Sequence, residues 1–144
     1  MFEFLPLQQP AGLSPALLAY VGDAVFEVYV RTLLAAECAG SMDAIHNRAV
    51  NCVKAEAQAR MLRHIEDMLN EQERDMIRRG RNSKAGHVPK HAAVMDYRYS
   101  TGFESLIGFL YLGGEEQRLN EILSSLKGCI LNGEEDGNHE SGSD

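Results

Sequence analysis

The amino-acid sequence predicts an all-α fold, and three observations support this prediction. Apolar residues recur at three- and four-residue spacing in several segments, which is typical of the buried face of a helix. No segment alternates apolar and polar residues between hairpin turns, as a strand would. The chain of 144 residues has the length of one domain and contains no internal repeat. We therefore expect one helical domain over residues 1–132 and a disordered acidic tail over residues 133–144.

The first long helix is predicted to follow an irregular stretch, residues 1–13, which contains prolines and a glycine. Ser14 is a suitable N-cap, because its side-chain oxygen can accept a hydrogen bond from the first turn. Pro15 suits the first helical position, where no backbone N–H donor is needed. Apolar residues continue at helical spacing to about Cys38, and Gly40 is expected to end the helix.

The middle of the chain is predicted to form one long and one short helix. The SMDA stretch begins a helix, and residues 45–69 are rich in Ala, Arg and Glu, as a long helix would be. A shorter helix is expected to begin at Asn70 and to end at Gly80. Residues 81–89 have Gly, Ser, Asn and Pro without an apolar period, so we expect an exposed loop there.

The last third of the chain is predicted to contain helices in three segments. Residues 90–98 resume helical character. From Gly102 an apolar stripe runs to the paired glycines at 113 and 114, which are expected to end that helix. Residues 115–131 form an amphipathic pattern with apolar residues on one face, which predicts one final helix.

Bulk features exclude several classes of protein. The three cysteines, Cys38, Cys52 and Cys129, are too few and too widely spaced for a disulfide framework or a zinc knuckle, so we expect reduced thiols. No apolar run approaches the roughly 20 residues that cross a bilayer. The N-terminal MFEFLPLQQP lacks the basic start and small-residue cleavage site of a secretory signal. We therefore expect a cytoplasmic protein that has no membrane partner.

Charge is distributed unevenly along the chain, although the net charge is −7. The C-terminal GEEDGNHESGSD has five acidic residues and no Lys or Arg, whereas RRGRNSKAGHVPK, residues 78–90, has five basic residues and no acidic one. A polyanion responds to such a local cluster more than to the net charge. The basic segment is therefore a candidate nucleic-acid contact, and a solvated charged loop is the alternative interpretation.

Two carboxylates lie inside apolar helical patterns, at Asp23 in LLAYVGDAVFEVYVR and at Glu104 in STGFESLIGFLYL. A carboxylate near a core is costly unless a charge, a hydrogen bond or a metal compensates it. Gly22, Gly102 and Gly108 have no Cβ, so the helices that carry them can approach closely. If these helices cross, the two carboxylates could face each other and share a cation, for which Mg²⁺ is suitable.

The alternative is that such acids are ordinary surface residues or partners of an arginine. We assign Glu27 to that class, because Arg31 follows four residues later and can pair with it on the helix surface. Spacing alone does not decide between the two interpretations for Asp23 and Glu104.

Several motifs resemble the ribonuclease III family. AYVGDAVFEVYV is similar to the family's signature helix, and ESLIGFLYL is similar to its second acidic helix. The similarity includes HNRAV and RRGRNSKAG and covers roughly residues 14–131. The resemblance implies the all-helical catalytic domain of that family, working as a homodimer, without a separate domain for binding double-stranded RNA.

By the same resemblance, Asp23 and Glu104 are catalytic residues and Mg²⁺ ligands. The full-length enzymes of the family also have a Glu where this chain has Ala19, and an Asp where it has Thr101. Two of the usual four acidic residues are therefore absent. This departure leaves the number of metal ions open.

The resemblance implies a Mg²⁺-dependent endoribonuclease that cleaves double-stranded RNA and leaves 5′-phosphate ends, with each protomer cutting one strand. Its implied substrate is the stem that brackets 23S ribosomal RNA in its precursor, and a ribosomal-protein helper is a candidate partner. Double-stranded RNA is recognised through its shape, phosphates and 2′-hydroxyls. The residues that suit those contacts are Arg78, Arg79, Arg81, Asn82 and Lys84.

Two alternatives stay open from the sequence. The missing acids at positions 19 and 101 would also fit a catalytically inactive helical dimer that binds structured RNA. The second alternative is a helical protein-interaction module that does not bind RNA. Digestion of double-stranded RNA with and without Mg²⁺ tests the first, and RNA affinity at low salt tests the second.

Overall fold

The structure is a computed structural model that describes residues 2–83 and 93–132, and within these ranges every regular element is helical. The all-α prediction is therefore confirmed for this part of the chain, whereas the acidic tail and Lys84 lie outside it. Short 3₁₀ turns occur at Pro10–Gly12 and Glu66–Met68. The α-helices in the described residues are α1 Pro15–Glu37, α2 Met42–Val53, α3 Ala55–Ile65, α4 Glu71–Arg81, α5 Val94–Leu112, α6 Glu116–Ser125 and α7 Lys127–Asn132.

Helix α5 lies at the centre of the fold and packs against α1, α3 and α4. Its side chains fill the core, and the Phe103 ring meets the Phe26 ring of α1 edge-on at 5.1 Å between centroids. Apolar burial on several sides of one helix is what its apolar sequence requires. None of the helices in the described ranges is both long and apolar enough to span a membrane.

Helices α1 and α5 cross with their backbones in direct contact. A Cβ on Gly22 would lie 1.8 Å from the carbonyl oxygen of Glu104, and a Cβ on Gly108 would lie 1.9 Å from that of Leu18. No side chain larger than hydrogen fits at either position. The predicted close approach of the helices carrying Gly22 and Gly108 is thus observed.

A second close crossing joins α4 to α5. A Cβ on Gly102 would lie 2.7 Å from the carbonyl oxygen of Ile77, and one on Gly80 would lie 2.8 Å from the Cα of Gly102. Gly102 therefore contacts α4 rather than α1. The prediction that Gly80 ends its helix is wrong, because Gly80 lies within α4 and serves this crossing, and the helix continues to Arg81.

Three predicted helix boundaries differ from the structure. The long helix over residues 45–69 is divided at Lys54, whose extended backbone (φ −65°, ψ 150°) lets α2 pack on α1 while α3 packs on α5. Residues 94–98 of the predicted segment 90–98 and the segment from Gly102 belong to one helix, α5, with Gly102 in its interior, while residues 90–92 lie outside the described residues. The final helix over 115–131 is divided at Leu126, which is fully buried.

The predicted helix starts at Ser14 and Asn70 are confirmed by their hydrogen bonds. Ser14 Oγ accepts from the backbone N–H of Leu17 at 3.1 Å. Asn70 Oδ1 accepts from the N–H of Glu73 at 2.8 Å, while Glu73 Oε1 accepts from the N–H of Asn70 at 2.9 Å. This reciprocal pair is a capping box, which satisfies two backbone donors at the start of α4.

Candidate active site

The crossing of α1 and α5 places Asp23 beside Glu104. Gly22 presses against the backbone of Glu104, so the next residue of α1 emerges at the rim of this contact. The Asp23 side chain is exposed, the Glu104 side chain is half-buried, and the two carboxyl groups lie close enough for Asp23 to raise the pKa of Glu104. The structure therefore brings together the two acids that the sequence singled out.

The pairing changes the protonation of Glu104. Burial, followed by the hydrogen bond to Asp23 and its negative charge, raises the pKa of Glu104 to about 9. Two adjacent carboxyl groups avoid repulsion by holding a proton or a cation between them. Without a cation, the raised pKa favours the protonated form of Glu104 at neutral pH. The site is thus an oxygen-lined position where a divalent cation can replace a proton.

A third polar side chain, Gln58 of α3, lies near Glu104 and was not identified from the sequence. It is fully buried, and its Oε1 accepts a hydrogen bond from Ser100 Oγ. The signal was present, since Gln58 occupies the first position of an apolar stripe that continues with Met61, Leu62 and Ile65. A polar residue at a core position is informative, because its polar atoms need partners.

The positions where the family's further acids would stand carry no charge. Ala19 and Thr101 are buried, and Thr101 Oγ1 donates to the carbonyl of Tyr97 in its own helix at 3.0 Å. Within residues 2–83 and 93–132, no group of three or more His, Cys, Asp or Glu side chains could hold a metal ion. Mg²⁺ is commonly bound through one or two carboxylates, with waters and substrate phosphates completing its shell, so the pair fits this ion.

The basic residues at the end of α4 have partners of different kinds. Arg78 is exposed and forms an ion pair with Asp75. The Arg81 guanidinium lies 5.7 Å from the centre of the Tyr99 ring. Asn82 is the exposed C-cap of α4. Lys84, which also belongs to the predicted RNA contact, lies outside the described residues.

Arg79 is held by the N-terminal segment rather than presented freely. Its guanidinium donates to the carbonyl of Ala11 at 2.9 Å and to that of Leu13 at 3.4 Å. These bonds fix the segment that leads into α1. Glu27, which was assigned a structural role, pairs with Arg31 at 2.8 Å, as predicted.

The basic end of α4 is close to the acidic pair along α5. Gly80 contacts Gly102, which precedes Glu104 by two residues. Tyr99, which lies under Arg81, precedes Glu104 by five residues, or about 7.5 Å along a helix axis. The Arg81 guanidinium and the Glu104 carboxyl group therefore lie beside neighbouring turns of α5.

Comparison with known proteins places this arrangement in a family. The sequence matches the family described as "Ribonuclease III domain" over residues 16–115, a range that includes Asp23 and Glu104. The chain is 46% identical to the Mini-ribonuclease 3 of Thermoanaerobacter sp. (strain X514), covering 84% of this chain and 85% of that relative. It is 43% identical to the Mini-ribonuclease 3 of Symbiobacterium thermophilum, covering 89% and 98% respectively.

The helical architecture also has a counterpart among solved structures. A crystal structure of a protein from Fusobacterium nucleatum superposes with a TM-score of 0.71 at 26% sequence identity. The match covers 77% of this chain and 90% of that one. The fold seen here is therefore shared over most of the length of both proteins.

Proposed function

The chain belongs to the ribonuclease III family, among relatives named Mini-ribonuclease 3, and is an endoribonuclease; from this we propose that it hydrolyses double-stranded RNA with Mg²⁺ held by Asp23 and Glu104. The observation that carries the proposal is the approach of these two carboxyl groups at the crossing of α1 and α5, where burial, and after it the neighbouring Asp23, raises the pKa of Glu104 to about 9. A site that binds a proton this strongly between two acids suits a divalent cation.

The two acids have different environments, and these suit different parts of the task. Asp23 is exposed, so the RNA backbone can approach it from solvent, while Glu104 is anchored in the central helix. Bound Mg²⁺ would polarise the scissile phosphate and lower the pKa of the attacking water. Hydrolysis would break the P–O3′ bond and leave a 5′-phosphate and a 3′-hydroxyl. Because the site has two carboxylates, RNA phosphates and waters would supply the remaining ligands.

The residues that we propose contact the RNA lie at the C-terminal end of α4. Arg78 and Asn82 are exposed, and the Arg81 guanidinium lies over the ring of Tyr99, five residues before Glu104 on α5. A guanidinium can donate two hydrogen bonds to one phosphate, which suits a ligand recognised by its backbone. Lys84 remains part of the proposed contact from its sequence position. We assign Arg79 mainly to the support of the N-terminal segment, because carbonyl groups occupy its donors.

We propose a homodimer that packs through α1. Leu17, Tyr20 and Val28 are 46%, 78% and 44% exposed, and with the exposed Ala24 they form an apolar stripe opposite the core. Such a stripe is costly in water and suits burial against a second copy. A dimer would present two acidic sites, one for each RNA strand.

The further details of the proposal come from the family resemblance. We propose that the natural substrate is the stem bracketing 23S ribosomal RNA in its precursor, that a ribosomal protein assists cleavage, and that the protein is cytoplasmic. The high similarity to relatives named Mini-ribonuclease 3 supports this proposal.

Digestion of long double-stranded RNA with and without Mg²⁺ tests the proposed function. We expect Mg²⁺-dependent cleavage and fragments whose 5′ ends carry phosphate. Single-stranded RNA of the same sequence should be cut much more slowly. Binding of double-stranded RNA without cleavage at any Mg²⁺ concentration would contradict the proposal and favour the inactive RNA-binding dimer.

A further inference from the structure

The side chain of Gln58 has a buried amide that the fold itself leaves unsatisfied. Gln58 is fully buried on α3, and its Nε2 has no hydrogen-bond partner among the described residues. An unpaired buried donor is destabilising, and an apolar residue would complete the stripe formed by the rest of α3 without this cost. Stability of the metal-free fold therefore does not explain why this position is a glutamine, whereas a functional role would.

Ser100 fixes which way the amide points. Its Oγ donates to Gln58 Oε1, so the Nε2 end is directed away from Ser100. Ser100 and Glu104 are four residues apart on α5 and therefore lie on the same face of the helix. The amide of Gln58 therefore lies along this face of α5. Its Oε1 accepts from Ser100, and its Nε2 is on the side of Glu104.

The Nε2 group lies close to Glu104 without completing a hydrogen bond to it. The amide is near enough to lower the pKa of Glu104, against the larger upward effects of burial and Asp23. A carboxylate that binds a metal through one oxygen commonly has its other oxygen held by a donor from the surrounding protein. Gln58 is placed to provide that donor.

We propose that Gln58 is a positioning residue, held by Ser100, whose Nε2 donates to one oxygen of Glu104 and turns the other oxygen toward the bound cation. This inference rests on the proposed function, since it requires Mg²⁺ at Asp23 and Glu104. Gln58 has no contact with RNA in this role. It acts through the orientation of the Glu104 carboxylate and so affects the affinity for the ion.

The replacement of Gln58 by methionine tests this role, because Gln58→Met keeps the length of the side chain and removes the donor. We expect the Mg²⁺ concentration for half-maximal cleavage to rise about 10- to 100-fold, with most of the rate recovered at saturating Mg²⁺. The Mg²⁺ concentration that raises the melting temperature (Tm) should shift in parallel. The Tm of the metal-free protein should stay within about 2 °C of wild type or rise.

Two further variants make the result specific. Gln117→Met, at an exposed position of α6, makes the same chemical change far from the site and should behave as wild type in every measurement. Ser100→Ala frees the amide to rotate, so its Mg²⁺ requirement should rise by less than that of Gln58→Met. If Gln58→Met does not fold, the same Mg²⁺ titrations on Ser100→Ala decide the matter.

The outcomes separate this inference from the proposed function. A Gln58→Met protein with a wild-type Mg²⁺ requirement and a lowered Tm would show a purely structural glutamine and overturn the inference alone. A wild-type protein whose cleavage and Tm do not respond to Mg²⁺ would overturn the proposed function, and the role of Gln58 with it.

Discussion

Glycine at position 22 determines where the carboxylate of Asp23 can lie. The Gly22 Cα meets the backbone of Glu104, and no rotation of a side chain can relieve a clash with a carbonyl oxygen. The distance between the two acids therefore depends on the absence of one methyl group. Glycine in a helix costs about 1 kcal/mol in propensity, which this packing offsets.

Substitution of this glycine should disrupt both stability and the site. Gly22→Ala would place a Cβ 1.8 Å from the Glu104 carbonyl oxygen, so α1 and α5 must separate. We expect a loss of about 3 kcal/mol in the free energy of unfolding, measured in urea, together with weaker Mg²⁺-dependent cleavage. Gly12→Ala is the control, because nothing lies within 4 Å of a Cβ there, and its stability should change by less than about 0.5 kcal/mol. Wild-type stability in Gly22→Ala would refute the close contact.

The raised pKa of Glu104 predicts how stability depends on pH when no metal is present. Between the ordinary pKa of a glutamate and about 9, the folded protein keeps a proton that the unfolded chain releases. The contribution of Glu104 to stability is therefore fully present below the unfolded pKa and is lost as the pH rises toward 9.

Thermal unfolding of wild type and Glu104→Gln between pH 5 and pH 9 measures this effect. Without Mg²⁺, the Tm of wild type should fall with rising pH more than that of the variant, which has no proton to lose at this position. Saturating Mg²⁺ should reduce the fall in wild type, since the cation replaces the proton. Parallel pH profiles for the two proteins would contradict the pairing of Asp23 with Glu104.

The acidic pair was predicted from the sequence, whereas Gln58, whose only signal is its helical spacing with the apolar residues of α3, was not. Asp23 and Glu104 are each a charged residue within an apolar helical pattern, and this conflict can be recognised from the sequence alone. Gln58 lies in a helix rich in polar residues, where a glutamine is ordinary unless its direction is known. Only the packing of α3 against α5 shows that it faces the core.

At the level of elements, α5 organises the site because two helices approach it through glycine contacts. Helix α1 contacts α5 at Gly108 and helix α4 contacts α5 at Gly102, and Glu104 lies between these two positions in the sequence. The sequence predicts helices in the right places, because apolar periodicity is a local property. The prediction wrongly divides α5 at Gly102 and joins α2 to α3. The contact of Gly102 with α4 and the extended backbone at Lys54 are set by tertiary packing, which a local pattern does not contain.

An ion pair ties the start of α4 to α6. Arg118 donates to both oxygens of Glu73, with its Nε 2.7 Å from Oε2 and its Nη2 2.8 Å from Oε1. The Glu73 side chain is only 2% exposed. The hydrogen bond from Arg118 is the main cause of the lowered pKa of Glu73, with a smaller contribution from the Asn70 backbone N–H.

Removal of the Glu73 charge should destabilise the fold in a pH-dependent way. Glu73→Gln should lose about 2–3 kcal/mol in the free energy of unfolding at pH 7. Because the folded pKa is lowered, the contribution of Glu73 is present above the ordinary glutamate pKa and is lost as the pH falls through the folded value.

The neighbouring acid provides a matched control for Glu73. Glu121 also pairs with Arg118, at 3.0 Å, but its side chain is 49% exposed. Glu121→Gln should therefore change the unfolding free energy at pH 7 by less than about 0.5 kcal/mol. Equal effects of the two substitutions would show that burial of Glu73 does not strengthen its pair.

At the scale of the whole molecule, the face of α1 opposite the core is the surface that the proposed homodimer would bury. The helix buries one side against α5 and leaves the apolar stripe of Leu17, Tyr20, Ala24 and Val28 exposed. The apolar residues of α1 are visible in the sequence LLAYVGDAVFEVYVR. Which of them remain exposed follows only from the packing of the domain.

Charged substitutions in this stripe should prevent the proposed homodimer from forming without unfolding the protomer. Tyr20→Glu combined with Val28→Glu places charge on positions that are 78% and 44% exposed in the single chain. We expect sedimentation as a monomer, with the helical circular dichroism of wild type. Leu5→Glu, at a position that is 90% exposed outside α1, should remain dimeric. A dimeric double variant would assign the interface to another surface.

The most direct test of the central claim compares Asp23→Asn with Glu27→Gln in a cleavage assay on double-stranded RNA with Mg²⁺. Both substitutions neutralise an acid of α1, but only Asp23 contacts Glu104, while Glu27 pairs with Arg31. We expect Asp23→Asn to lose about 1,000-fold or more in rate, or ~4 kcal/mol of barrier lowering, with RNA affinity within about threefold of wild type. Glu27→Gln should cut normally. An Asp23→Asn protein that cuts at the wild-type rate would contradict the assignment of the site.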